Sequence, residues 1–242
     1  MNLSSKFCKW SQILIIITAA SLLVARPKFA LALSPITSGP TFAKVMALTF
    51  DDGPHPFHTP QLLDLLDSFQ IKATFFVVGI KAAENPFILK NIVKRGHVLG
   101  NHSWSHPNLS QLEEKEIEEQ MRFCNQAIEA ITGTSPRFFR PPGGNWDNRI
   151  LDIANKLGLQ IVLWTINGYD AGSDSYSPQA LAKIVIRRAT PGAIVLLHDG
   201  GNFTLAALPL IINTLRKEGY SFVTLEQMLH KSIKPISLAH SN

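Results

Sequence analysis

Seven short runs rich in β-branched and aromatic residues recur along the chain, each separated from the next by a helix-like stretch. This alternation restricts the fold more than any other feature. The runs are KVMALTF (44–50), KATFFVV (72–78), GHVLG (96–100), RFFR (137–140), LQIVLW (159–164), AIVLLH (193–198) and YSFVTL (220–225). Between them, Thr59-Pro60, Asn85-Pro86 and Ser177-Pro178 predict helix starts, and Ser110 with Glu113 predicts a capping box. Gly96, Gly133, Gly158 and Gly219 stand where helices need a left-handed C-terminal residue. Strands that alternate with helices form a parallel sheet with the helices outside. A closed or nearly closed β/α barrel of seven or eight strands is the first expectation, an open doubly wound sheet the second.

The 242 residues, 45% hydrophobic and 17% charged, suit one globular domain. Residues 1–32 read as a signal peptide, with an uncleaved membrane anchor as the alternative. Lys6 and Lys9 precede the apolar run ILIIITAASLLVA, and Ala30-Leu31-Ala32 offers a small-residue cleavage site. That run is shorter than the ~20 residues of a spanning helix. Residues 33–43, opening with LSPITSGP, read as a linker; 44–230 as the folded domain; 231–242 as a C-terminal tail. An exported, extracytoplasmic location follows, with membrane contact only through a retained leader.

Lys6, Lys9, Arg26 and Lys28 are four of the 23 basic residues, and the leader has no acid. The remainder balances at 19 basic against 18 acidic residues, so the +5 of the whole chain gives no case for nucleic-acid binding. Cys8 leaves with the leader, and Cys124 falls in the series Ile117, Met121, Cys124, Ile128, Ile131, the spacing of a buried helical face. The same spacing makes EEKEIEEQ (113–120) a solvated face with Ile117 turned inward.

Polar residues gather where the runs end. Asp51 and Asp52 follow the first strand, His102 and His106 the third, and Arg140 ends the fourth; Asp170 follows the fifth and His198 ends the sixth. Carboxyl ends of strands are where parallel β/α proteins build active sites. HSWSH places two imidazoles within one turn of each other, and Pro107 favours a loop there over a helix. Two imidazoles and a carboxylate suit zinc with positions left open. Because successive residues leaving a strand point different ways, one Asp can bind metal while the other acts as a base. DDGP is also a good turn sequence, the structural alternative for the pair.

At these residues the chain resembles the polysaccharide deacetylases of carbohydrate esterase family 4, the NodB-homology domain, from about Val45 to about Leu229. TFDDG, HSWSH, RPPGG, NGYDA and LLHD stand for its five motifs, in order. The resemblance implies a distorted β/α barrel and a divalent metal, zinc first with cobalt, nickel or manganese as alternatives, held by Asp52, His102 and His106. It implies Asp51 as general base oriented by Arg140, His198 as general acid paired with Asp170, and the Gly143 N–H as an oxyanion donor. The implied reaction is hydrolysis of the N-acetyl amide of GlcNAc-type residues in an extracytoplasmic glycan, peptidoglycan or chitin-like, with release of acetate. Three positions depart from the family pattern: Gly143 replaces an aromatic residue, Asn167 the first Asp of the fourth motif, and Ala171 its Trp.

Trp146, His55 and Phe57 are further candidates for contacting the sugar, with loop packing or solvation as their alternatives, and His97 reads as structural. The competing function is a catalytically weak or inactive carbohydrate-binding protein on the same scaffold. Hydrolysis of a small cyclic amide is a third reading.

Overall fold

The alternation of runs becomes a parallel sheet wrapped by helices. The computed structural model describes residues 34–170, 177–199 and 201–230. The leader, Ala171 and the tail 231–242 lie outside the described residues. The elements are β1 (Val45–Gly53), α1 (His58–Ser68), β2 (Thr74–Val77), α2 (Gly79–Glu84), α3 (Pro86–Lys94), β3 (Val98–Asn101) and α4 (Glu114–Thr132). Then follow β4 (Phe138–Phe139), α5 (Asn148–Lys156), β5 (Gln160–Ile161), β6 (Ile166–Asn167), α6 (Pro178–Arg187), β7 (Ala193–His198), α7 (Asn202–Lys217), β8 (Ser221–Phe222) and α8 (Leu225–His230). All seven predicted runs contain a strand, and the short β6 is an addition.

The sheet runs in the order β5-β4-β3-β2-β1-β7-β6, with β8 paired to the start of β1. Residues 162–165 alone join β5 to β6, although these strands end the order. A flat sheet would separate them by about 29 Å, whereas that connection reaches about 18 Å when fully extended. The sheet therefore curls into a distorted β/α barrel. The stretch expected to be a linker lies along the gap. Ile36 bridges Val162 beside β5 and Ser38 bridges Ala193 of β7, and the Gly39 N–H donates to the Gly192 carbonyl at 2.7 Å.

Alternation along β1 sorts its residues between two environments. Met46, Leu48 and Phe50 pack outward with Leu62, Leu63 and Leu66 of α1 and Ile211 and Leu215 of α7. Ala47 belongs to a separate interior cluster with Phe76, Phe138, Val162 and Ile194. Thr49 and Asp51 share the parity of Ala47, so the strand carries a carboxylate to the inner mouth of the barrel. Burial on both faces explains why these strands read as continuous apolar runs.

Helix ends follow the sequence in part. Ser177 caps α6 by accepting from the Ala180 N–H, and Gly133 ends α4 with φ of +73°. The capping box of α4 uses Glu113 and Glu116, not Ser110, which lies in a 3-10 turn (Leu109–Gln111) held by Asn108. Helix α1 starts one residue before Thr59, which frees the Thr59 hydroxyl to bond elsewhere. Cys124 is buried, its thiol donates to the Val77 carbonyl, and burial pushes it up to about 12. Among the described residues no helix is long and apolar enough to cross a membrane.

Candidate active site

Asp51 enters the site from the interior column of β1 and is 3% exposed. Its Oδ1 accepts from Arg140 Nη1 at 2.7 Å. Arg140 is fully buried, and every other donor it uses is committed to the scaffold: Nη1 also reaches Thr49 Oγ1, Nε the Val162 carbonyl and Nη2 the Leu163 carbonyl. The guanidinium also stacks 4.1 Å over the Phe76 ring. Burial pulls Arg140 below its ordinary value while the Asp51 carboxylate opposes that pull. The carboxylate is thus fixed in orientation, with Oδ2 turned towards His102.

Asp52 departs from simple alternation. The pairing of β1 with β2 skips it, passing from Asp51↔Phe76 to Gly53↔Val77, and its φ is +69°. An ideal strand would send Asp51 and Asp52 to opposite faces. The left-handed bulge instead swings Asp52 back, so that both carboxylates flank His102, at 3.8 Å from Asp51 Oδ2 and 3.3 Å from Asp52 Oδ1. Asp52 Oδ1 also lies 3.2 Å from His106 Nε2. His102 and His106 sit in the loop after β3, as Pro107 predicted, and φ of +65° at Ser103 and +61° at His106 turns the second ring back towards the first.

Asp52, His102 and His106 offer ligand atoms all within 4.8 Å of one another. The chemistry of these atoms fits a divalent cation. Asp52 Oδ1 is buried without a hydrogen bond. His102 Nδ1 lies 2.7 Å from the Arg140 carbonyl, which only accepts, so Nδ1 carries the proton and Nε2 offers its lone pair to the cluster. Burial alone would raise Asp52, yet the two imidazoles outweigh it and hold the carboxyl well below the usual range. The Asp52 carboxylate in turn raises His106, with burial opposing.

The other side of the mouth is built on β7. Asp51 and His198 are register partners on adjacent strands, so their side chains share a face. His198 Nδ1 pairs with Asp170 Oδ1 at 2.8 Å, and Asp170 Oδ2 accepts from the His198 N–H and from Thr204 Oγ1. Burial would lower His198, but Asp170 outweighs it, aided by Asp51 and Asp52, and the imidazole lies above its ordinary 6.5. Nε2 makes no hydrogen bond among the described residues.

Gly143 is exposed in the 3-10 turn after Arg140 with φ of +65°, a conformation glycine adopts without strain. Trp146 is 40% exposed and Phe57 73% exposed, and neither makes a hydrogen bond or ring contact with the groups above. His55 braces the backbone through one ring nitrogen. Its Nδ1 accepts from the N–H groups of Phe57 and His58, and its ring stacks on His58 at 4.3 Å. Four supporting residues had no place in the sequence expectation. Thr49 holds Arg140, Thr204 holds Asp170, Lys81 Nζ donates to the Asp52 carbonyl at 2.8 Å, and Asp199 follows His198. Burial lifts the Asp199 carboxyl to about 7, against Thr59 and Lys81. Two of them had a sequence signal, Thr49 in TFDDG and Asp199 in LLHD.

The family profile described as polysaccharide deacetylase matches residues 38–162. A peptidoglycan-N-acetylglucosamine deacetylase of Bacillus cereus is 38% identical over 193 residues, covering 78% of this chain and 90% of that protein. A chitooligosaccharide deacetylase of Bradyrhizobium sp. is 36% identical over 199 residues, covering 75% and 89%. Among solved structures, a CE4 family pseudoenzyme from Bacillus anthracis aligns with a TM-score of 0.77 at 33% identity, covering 82% of this chain and 69% of that one.

Proposed function

The chain belongs to the polysaccharide deacetylase family, and from that membership we propose that it is a metal-dependent N-deacetylase. Its substrate would be a GlcNAc-type residue of an extracytoplasmic glycan, peptidoglycan or chitin-like, and its product acetate. One observation carries the reading. The cation-binding trio Asp52, His102 and His106 is flanked by two separately anchored proton-handling groups, Asp51 on Arg140 and His198 on Asp170. A protein that only bound glycan would need neither.

A divalent cation in the trio, zinc by preference for this donor set, would acidify water and polarise the acetyl carbonyl. Asp51 accepts a proton from the attacking water, and Arg140 keeps Oδ2 aimed at that water by occupying Oδ1. The exposed N–H of Gly143 donates to the acetyl oxygen as negative charge develops there. His198, whose protonated form Asp170 favours, donates from Nε2 to the departing nitrogen, which is too basic to leave as an anion. The leader expected over residues 1–32 supports export, with periplasm, cell wall or secretion as destinations.

The test is acetate release from peptidoglycan fragments and chitooligosaccharides by protein stripped of metal and then reloaded with zinc. Release that disappears with the metal and returns with it is expected; no release from any N-acetylated glycan would reject the proposal. The likeness to a pseudoenzyme motivates the second reading, a glycan binder without turnover. Calorimetric binding of the same glycans without acetate release would favour it.

A further inference from the structure

One buried carboxylate on the catalytic face has no part in the chemistry just described. Asp199, which ends the β7 side of the mouth, is 5% exposed. Its N–H donates to the Asp51 carbonyl at 2.8 Å. Its Oδ2 accepts from Thr59 Oγ1 at 2.6 Å, and that hydroxyl accepts from the His55 N–H at 2.6 Å. The same oxygen fills the space that a Cβ on Gly53 would occupy. Oδ1 is buried without a hydrogen bond, and so is His58 Nδ1, which lines the same small void together with His198.

These contacts converge on one short stretch, the turn from Asp52 to Thr59. From its far side the turn is already gripped, by Lys81 on the Asp52 carbonyl and by the Val78 N–H on the Gly53 carbonyl at 2.9 Å. On the near side the side-chain grip comes from Asp199. A grip on both sides fixes the left-handed backbone of Asp52, a conformation that Asp tolerates better than most residues but that still costs energy the surroundings offset.

We propose that Asp199 is a positioning residue for the metal-binding turn, clamping Gly53 and Thr59 from β7 so that the Asp52 carboxylate stays aimed at His102 and His106. The clamp also ties that turn to the strand end that carries His198, so the two halves of the site keep one spacing. The inference rests on the metal site of the proposed function and adds a residue to it.

The experiment measures zinc affinity by chelator competition, and the absorption spectrum of the cobalt-loaded protein, for wild type, Asp199→Asn and Asp199→Ala. Asn keeps an acceptor for Thr59 and the bulk against Gly53. It is expected to bind zinc within about threefold of wild type and to give the same cobalt spectrum. Ala is expected to bind zinc at least tenfold more weakly with an altered spectrum, and to lower kcat with little change in KM. Should the Ala variant not fold, Thr59→Val removes the hydroxyl link at constant volume and is expected to weaken zinc in the same direction. Wild-type zinc affinity in Asp199→Ala or in a folded Thr59→Val would overturn this inference alone, as would an Asn variant as weak as Ala. A wild-type protein without zinc affinity would overturn the metal site, and both readings with it.

Discussion

The carbonyl oxygen of Arg140 accepts from Nδ1 of His102 at 2.7 Å, while the guanidinium of the same residue holds Asp51. The His102 imidazole and the Asp51 carboxylate, the proposed metal ligand and general base, are therefore both referenced to one buried residue, through its backbone carbonyl and its guanidinium respectively. Lys at this position keeps the charge but has one nitrogen where Arg140 uses three, so the Val162 and Leu163 carbonyls lose their side-chain donors. Arg140→Lys is expected to cost about 1–3 kcal/mol of stability and roughly 100-fold in kcat. Urea unfolding and steady-state kinetics on one preparation check both numbers.

The roles proposed for Asp51 and Asp52, adjacent in sequence, can be separated by substitution. On the proposed mechanism Asp51→Asn leaves the trio intact and removes the base, so zinc content should stay near one per chain while kcat falls by about 10²–10⁴. His102→Ala removes a ligand and should lose zinc on dialysis against a chelator that the Asn variant survives. Equal zinc content and equal activity in the two variants would reject the division of labour.

What could be read from residues alone followed the length of each signal. The runs that became β1, β2, β3 and β7 are continuous and apolar because both faces are buried, and each shows plainly in the sequence. The two residues of β6 carry no pattern of their own. Ile36 closes the gap in the barrel from within a Pro, Gly and Ser-rich stretch whose composition speaks only of turns. The motif residues were found because each lies at or a few residues beyond the carboxyl end of a strand, Asp170 following the unpredicted β6, yet the alternation rule would have parted Asp51 from Asp52, and only the +69° φ shows why they converge. Asp199 was passed over because an Asp beyond a strand is an ordinary turn former; its burial and its contact with Gly53 are tertiary facts. The role of His55 Nδ1 at the start of α1 was not legible in the sequence either, because it depends on the local turn geometry.

Asp170 should show itself in the pH profile. His198 must be protonated to act as an acid, so kcat falls as pH rises through its pKa, which lies above 6.5 chiefly because Asp170 overcomes the effect of burial. Asp170→Asn removes that carboxylate, and the alkaline limb should move to lower pH while the maximal rate drops by roughly 100-fold. Rates measured from pH 5 to 10 at saturating glycan decide it. An unmoved limb would assign it to a group other than His198.

His97, which precedes β3 at the end opposite the His102 loop, gives the fold one source of acid sensitivity. Its Nδ1 accepts from the Ala73 N–H at 3.1 Å, so the neutral ring carries its proton on Nε2, which is buried without a partner. The ring is 4% exposed and lies edge-on to Phe75 at 5.3 Å. Burial lowers it to about 4, with Lys72 and Arg95 adding to the effect and Asp67 opposing it. Between pH 6.5 and about 4 the unfolded chain binds a proton that the native chain refuses. The stability due to neutral His97 is thus complete above pH 6.5 and lost as pH falls towards 4, by up to about 3 kcal/mol. His97→Gln cannot titrate, so its unfolding free energy should fall less steeply over that window, even if it starts lower at pH 7. Urea unfolding at pH 7, 5.5 and 4.5 measures the slope, and the same slope in both proteins would place the acid sensitivity elsewhere.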